Sequence, residues 1–210
     1  LIIECFDNSN TQGTNPVSAC VVFRDAKPSK KDYRHFIPKT VEGPDDYETM
    51  REVVYRRYKR FIDEGLTLPQ LIVIDGGKGQ LSAALEALDK LEIRGKVPII
   101  GIAERLEEIF FPGDNIPLYL DKKSESLKVI QYMRNEAHRF GIEHHRNRRS
   151  KNAFVSELIQ IKGIGEKTQN ELIKHFKTLS KIKEAKEEEI AVVIGKAKAR
   201  ILKEYFNAKN

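Results

Sequence analysis

Two aspartates stand where an acidic side chain is costly. Asp7 falls in the strand-like segment that opens with Leu1 to Phe6, and Asp75 closes the apolar run Leu71 to Ile74. A carboxylate on a buried strand is unfavourable unless it is paired or binds a metal ion. If the two strands are neighbours, the carboxylates converge, and a divalent cation relieves their repulsion. The alternative is that both are turn-forming aspartates at strand ends.

A metal site built on these aspartates would have hard oxygen ligands with room for water. Such ligands favour Mg²⁺ or Mn²⁺. The chemistry that suits the site is hydrolysis of a phosphodiester, with one or two ions, because a bound ion activates water and stabilises the leaving oxygen.

His138 is the third candidate for this site. It borders the apolar stripe of a predicted helix, and the stripe consists of Ile130, Met133, Ala137 and Phe140. A histidine there could be a metal ligand or a proton carrier. The alternative is a half-buried structural histidine. His144 and His145 lie in a basic run that is more typical of a phosphate-contacting or solvated stretch than of a metal cluster.

The segment Gly76 to Gly79 follows Asp75 directly and could hold a phosphate on its backbone amides. It is not a Walker A loop, because its spacing differs and Gln80 stands where Ser or Thr is needed. Lys78 could contact a phosphate. A tight turn from strand to helix explains the glycines equally well.

Charge divides the chain into an acidic part and a basic part. The chain carries +6 overall, but residues 1–127 have 18 Lys/Arg and 21 Asp/Glu, whereas residues 128–210 have 19 and 10. This division favours an acidic metal site beside a nucleic-acid surface. A solvated Lys/Glu-rich surface is the alternative. The expected DNA contacts in the basic part begin with Arg139, Arg146, Arg148, Arg149 and Lys151.

Two glycines mark the most specific feature of the basic part. Gly163 and Gly165 flank one apolar residue between two predicted helices, with Lys162 and Lys167 beside them. Such a turn exposes backbone N–H groups at a helix N-terminus, which predicts a sequence-independent phosphate contact. A simple helix-hairpin turn is the alternative.

The expected architecture is an α/β domain followed by a small all-α domain. Three antiparallel strands precede an alternation of helices and strands, which predicts a mixed sheet with flanking helices whose later strands are parallel. The last helix of this domain is expected to end at Gly141. The predicted domains are residues 1–149 and 156–210, with a polar linker at 150–155.

Composition limits the setting in which the protein works. No apolar run is long enough to span a membrane, and no signal peptide is recognisable. Cys5 and Cys20 lie in strand-like runs, which favours free thiols in a reducing cytoplasm. The first residue is not Met, so the chain is expected to be part of a longer protein.

Four segments in a fixed order resemble the UvrC family of excision-repair nucleases. They are Cys5 to Gly13, Gly43 to Tyr47, Ile74 to Leu81 and Asn135 to Phe140. Four blocks at compatible spacing are more specific than any one block, and the resemblance covers essentially the whole chain.

The resemblance implies a ribonuclease H-like endonuclease domain with a metal site formed by Asp7, Asp75 and His138. Asp46 matches a further acidic position of the family, and it also suits a helix-start carboxylate. The family acts in nucleotide excision repair, where it cuts the damaged strand 5′ of the lesion together with UvrB and UvrA. Its domain for the 3′ cut and its UvrB-binding segment are expected to lie outside these residues.

The basic part resembles the tandem helix-hairpin-helix domain of the same family. The first hairpin, Lys162 to Glu166, matches well. The second, Val193 to Lys196, keeps one glycine and is shortened, which leaves its phosphate contact open. Two rival functions remain: a non-catalytic DNA-binding module of a repair complex, and a nuclease for RNA–DNA hybrids.

Overall fold

The computed structural model describes the backbone of residues 1–11, 14–41, 43, 45–103 and 108–208. It describes their side chains except at 9–11, 14–16, 145, 147–151 and 153. Two compact units are present, Leu1–His144 and His145–Asn210.

The first unit is built on a mixed sheet. Its strands are β1 (Ile2–Thr11), β2 (Thr14–Arg24), β3 (Lys27–Pro28), β4 (Arg34–Phe36), β5 (Leu71–Asp75), β6 (Ile99–Ala103) and β7 (Glu108–Phe110). The strand order is β3-β2-β1-β5-β6-β7, and β4 also pairs with β2. Strands β1, β5 and β6 are parallel, whereas the other pairs are antiparallel. The predicted mixed sheet is therefore confirmed, and β5 and β6 are parallel as expected, whereas the last strand, β7, is antiparallel to β6.

Helices cover both faces of this sheet. They are α1 (Asp46–Asp63), α2 (Lys78–Lys90) and α3 (Glu125–Leu158). The ring of Phe6 meets Tyr58 of α1 at 6.1 Å, and the ring of Phe23 meets Tyr132 of α3 at 5.2 Å. Ile3 pairs with Phe23, and side chains alternate along a strand. Ile3, Cys5 and Asp7 therefore face α3, whereas Glu4 and Phe6 face α1.

Helix α3 does not end at Gly141 as predicted but continues to Leu158. It also contains residues 150–155, which were expected to form a linker. The segment has no proline, and a single internal glycine costs a helix only about 1 kcal/mol. Leu118 forms only an isolated antiparallel bridge with Ile109.

The second unit contains the end of α3 and four further helices. These are α4 (Glu166–Phe176), α5 (Leu179–Glu184), α6 (Glu187–Ile194) and α7 (Lys196–Ala208). Their buried side chains form a separate apolar core that includes Phe154, Leu158, Leu172, Ile190 and Leu202. Among the described residues, no helix is long and apolar enough to cross a membrane.

Candidate active site and nucleic-acid interface

Asp7 and Asp75 lie side by side on neighbouring strands. In the parallel pair of β1 and β5, Asp7 is the register partner of Asp75. Neighbouring strands are about 4.8 Å apart, and paired residues point to the same face. Asp7 is 5% exposed, and β1 continues to Thr11, so Asp7 is not a turn residue at a strand end. Asp75 is the last residue of β5.

The pKa of the buried Cys5 thiol is affected by both carboxylates. Burial raises its pKa well above the ordinary value, and the negative charges of Asp75 and Asp7 raise it further. The positive charge of Arg134, on α3, lowers it. Arg134 therefore belongs to the surroundings of the carboxylates, which the sequence reasoning missed. The available signal was its position one helical turn before His138.

His138 brings an imidazole to this pair. Its Nδ1 lies 3.4 Å from Oδ2 of Asp7, and its side chain is 60% exposed. The alternative of a half-buried structural histidine does not match this exposure. The ring contacts a buried carboxylate on one side and is open to solvent elsewhere, so it is accessible to a metal ion or a substrate.

Asp46 is placed differently from the other acidic candidates. It is the first residue of α1, and its carbonyl oxygen accepts a hydrogen bond of 2.8 Å from Nδ2 of Asn8. The side chain of Asp45 caps the helix instead, because it accepts the N–H groups of Tyr47 and Glu48. Asp46 thus lies on the α1 side of the sheet, where it lines a cleft of about 510 Å³.

The donor set fits a hard divalent ion. The two carboxylates supply the oxygen donors that suit Mg²⁺ or Mn²⁺, and the imidazole of His138 adds a nitrogen donor beside them. Within the described part of the chain, however, no three His, Cys, Asp or Glu side chains already converge as a set of metal ligands. The residues fit an ion by their chemistry and proximity.

Packing explains the glycines that follow Asp75. A Cβ on Gly76 would lie 1.4 Å from Oε1 of Gln80, and one on Gly79 would lie 2.5 Å from the ring of Tyr47. Lys78 Nζ donates to the carbonyl of Asn115 at 2.6 Å. Close packing against Gln80 and Tyr47 therefore accounts for Gly76 and Gly79, and Lys78 is held by the protein itself.

Arg139, an expected DNA contact, is bound by two glutamates. It donates to Glu136 through Nε at 2.7 Å and Nη2 at 2.8 Å, and to Glu143 through Nη1 at 2.9 Å. Hydrogen bonds from Arg139 hold the pKa of the Glu136 carboxyl below its ordinary value. This network fixes α3 locally, and the guanidinium is already occupied.

The remaining basic candidates belong to the second unit. Arg146 is exposed on α3, whereas the side chains of Arg148, Arg149 and Lys151 fall outside the described ones.

The glycine-rich turn between α3 and α4 has the geometry of a backbone phosphate site. Gly163 has a φ of +95°, and Gly165 is the N-cap residue of α4 and provides no side-chain cap. Gln169 Nε2 donates to the carbonyl of Ile164 at 3.0 Å and fixes the turn. Lys162 and Lys167 are exposed beside it. Uncapped N–H groups and two ammonium groups together suit a phosphate.

The second hairpin is shorter than the first. Gly195 alone connects α6 to α7, with a φ of +83°, whereas the residues between Leu158 and Glu166 connect α3 to α4. Lys198 of α7 donates to Oγ1 of Thr168 on α4 at 2.8 Å. This bond joins the two hairpins, which is a structural role.

Comparisons with known proteins agree with the division of the chain into two units. The model of the UvrC RNAse H endonuclease domain matches residues 1–142, and that of the SAM-like helix-hairpin-helix tandem matches residues 155–206. The UvrABC system protein C of Flavobacterium johnsoniae is 67% identical over 204 residues, covering 97% of this chain and 34% of the relative. That of Flavobacterium psychrophilum is 66% identical over 205 residues, covering 98% and 34%.

A solved structure with some likeness is endonuclease V of Ciona intestinalis with an inosine-containing 24-mer DNA. It has a TM-score of 0.36 at 19% identity, covering 64% of this chain and 56% of the other. The chain spans about a third of the length of the curated relatives named above. The expected ribonuclease H-like sheet followed by a helix-hairpin-helix domain is confirmed by the two family models. The chain belongs to the UvrC ribonuclease H endonuclease domain family.

Proposed function

We propose that this chain is the part of an excision-repair nuclease that cuts DNA on the 5′ side of a lesion, with Mg²⁺ or Mn²⁺. It works as part of a longer cytoplasmic protein, together with UvrA and UvrB. The family membership and the names of the relatives support this proposal.

One observation carries the catalytic part of the proposal. Asp7 and Asp75 are register partners on parallel strands, and the exposed imidazole of His138 touches Asp7. Converging carboxylates in a buried sheet are costly unless a cation shares them.

Each residue then has a defined task. Asp7 and Asp75 would hold the ion through their carboxylate oxygens, and His138 would either complete the ligand set or accept and release a proton at its imidazole. The bound ion would supply a Lewis acid that lowers the pKa of water and neutralises phosphate charge. Arg134, one turn from His138, adds a positive charge near the carboxylates.

The second unit would hold the DNA backbone. The N–H groups at the start of α4 and the ammonium groups of Lys162 and Lys167 face solvent at the first hairpin. These groups recognise phosphates without reading bases, which suits an enzyme that must act in any sequence. The contribution of Arg148, Arg149 and Lys151 is part of the same proposal.

The decisive experiment is Mn²⁺-dependent nicking of supercoiled plasmid by the chain and its Asp75→Asn variant. We expect the nicking rate of the variant to be more than about 100-fold lower than that of the parent. Mutating only a residue that hydrogen-bonds to a metal ligand already lowers metal affinity or activity by about 10- to 100-fold. DNA affinity should stay close to that of the parent. Asp114→Asn, which changes an exposed loop aspartate, is the matched control and should nick like the parent.

Equal nicking by the parent and Asp75→Asn would refute the site. A parent that binds DNA without nicking it, with Asp7→Asn abolishing folding, would favour a non-catalytic binding module. Faster cleavage of an RNA–DNA hybrid than of damaged duplex would favour the hybrid nuclease. The 5′ position and the dependence on UvrB are tested by mapping the cut in a lesion-bearing duplex with the full-length protein, UvrA and UvrB.

A further inference from the structure

Glu136 is a buried charge on the helix that carries His138. Its residue is 8% exposed, and its Oε1 accepts a hydrogen bond of 3.3 Å from the hydroxyl of Tyr33. The same carboxylate accepts two bonds from Arg139. Tyr33 directly precedes β4, so this carboxylate ties α3 to the edge of the sheet.

Glu136 and His138 lie on opposite flanks of α3. Residues in an α-helix are separated by about 100° around the axis. Ala137 is fully buried in the core of the first unit. Glu136 therefore lies on one side of the buried line and His138 on the other. Glu136 points to the β4 edge, whereas His138 reaches Asp7 on β1.

A second set of contacts holds the same flank. The ring of Phe140 packs against Tyr33 at 5.1 Å and stacks on His35 of β4 at 3.6 Å. His35 Nε2 also lies 2.9 Å from the carbonyl oxygen of Phe140. These stacked rings and the hydrogen bond of His35 act on the same flank as the hydrogen bond from Tyr33 to Glu136. Together they can set the rotation of α3 about its axis, and Glu136 supplies the carboxylate among these contacts.

We propose that Glu136 is a positioning residue, which fixes the rotation of α3 through Tyr33 and Arg139 and so holds the imidazole of His138 against Asp7. This inference rests on the proposed function for its catalytic meaning. The buried carboxylate and the Tyr33 hydroxyl are then one structural reason that the exposed side chain of His138 lies against Asp7.

Arg139 provides a matched pair of contacts for testing this role. It binds Glu136, whose side chain is 9% exposed, and Glu143, whose side chain is 53% exposed. Both glutamates are on α3 and both accept from the same guanidinium. Of these two glutamates, only Glu136 also binds Tyr33 at the edge of the sheet. Only the loss of Glu136 should therefore move His138.

The test compares Glu136→Gln and Tyr33→Phe with Glu143→Gln in two measurements. The first is the kcat and KM of Mn²⁺-dependent nicking. The second is the ¹H–¹⁵N spectrum of the histidine rings without metal, in which His138→Gln assigns the His138 signal. We expect Glu136→Gln and Tyr33→Phe to lower kcat by about 10- to 100-fold with KM unchanged, because small misplacements of reacting groups cost that much.

In the metal-free spectrum, the His138 signal should shift or broaden in these two variants and remain at the parental position in Glu143→Gln. An unchanged His138 signal together with parental kcat in Tyr33→Phe overturns the inference. Tyr33→Phe removes one hydroxyl only, so it decides the question even where Glu136→Gln fails to fold. An equal loss of kcat in Glu143→Gln also overturns it, since that contact does not reach the sheet.

Failure of the proposed function has a different signature. If the parent shows no Mn²⁺-dependent nicking, the proposed function is refuted. The spectrum of the histidine rings then decides alone whether Glu136 positions His138. A displaced His138 signal in Tyr33→Phe supports the positioning role, and an unchanged signal refutes it.

Discussion

Glu4 is the most deeply buried charged side chain among the described residues, at 1% exposure. It lies on the α1 face of β1, where Arg57 donates to it at 2.5 Å and 3.2 Å. The hydroxyl of Tyr58 donates to Oε2 at 2.9 Å, and burial followed by the charge of Glu4 raises the pKa of Tyr58. The network fills the interface between α1 and the sheet, so its role is structural.

The buried ion pair of Glu4 and Arg57 should be important for the stability of the first unit. Glu4→Gln or Arg57→Met should destabilise the first unit by about 3 to 5 kcal/mol, because each change leaves the other charge buried without compensation. Urea unfolding followed by circular dichroism measures the loss. Arg60→Gln, which breaks the exposed pair with Glu64 on the same helix, should leave the transition unchanged. Equal midpoints for the parent and Arg57→Met would show that the pair is dispensable.

Residue types and spacing predicted that Asp7 and Asp75 converge on the condition that their strands are neighbours, but they gave no indication of the contact between Glu4 and Arg57. Asp7 and Asp75 each end an apolar stretch, and parallel strands bring such ends together. Glu4 interrupts the same stretch as Asp7, but its partner lies 53 positions away on a helix. No periodicity links Glu4 to Arg57, so their pairing depends on tertiary packing.

The strands and the first two helices follow their hydrophobic patterns, whereas the extent of α3 does not. The apolar spacing that marks a buried helix face stops after Ile142 and resumes at Phe154. The intervening residues are polar and lack proline. Such a segment can be a solvated helix or a linker, and hydrophobic periodicity cannot distinguish the two.

The first hairpin allows a prediction that rests on backbone geometry alone. Gly163 has a φ of +95°, whereas Gly165 has a φ of −79° and nothing within 4 Å of an added Cβ. Gly163→Ala should therefore strain the turn, destabilise the second unit by about 1 kcal/mol or more and weaken DNA binding. Gly165→Ala should fold like the parent. Thermal melting and fluorescence anisotropy with a labelled duplex measure both effects, and identical melting of the two variants would contradict the assignment of strain.

Charge and catalytic chemistry are separated along the chain. The aspartates of the proposed metal site belong to a part of formal charge −3, and the first hairpin belongs to a part of charge +9. An acidic site repels the DNA backbone until a cation is bound. Affinity must then come mainly from the basic part, and it should be strongly dependent on salt.

This separation predicts where the salt dependence of DNA binding arises. Replacing both Lys162 and Lys167 with Gln should reduce the slope of log K against log salt by about two, since each phosphate contact contributes about 0.9. Replacing the exposed Lys122 and Lys123 of the first unit with Gln changes the net charge equally and should leave the slope nearly unchanged. Anisotropy titrations over a range of KCl concentrations distinguish the two pairs. Equal slopes in both double variants would mean that overall charge, rather than the hairpin, attracts the DNA.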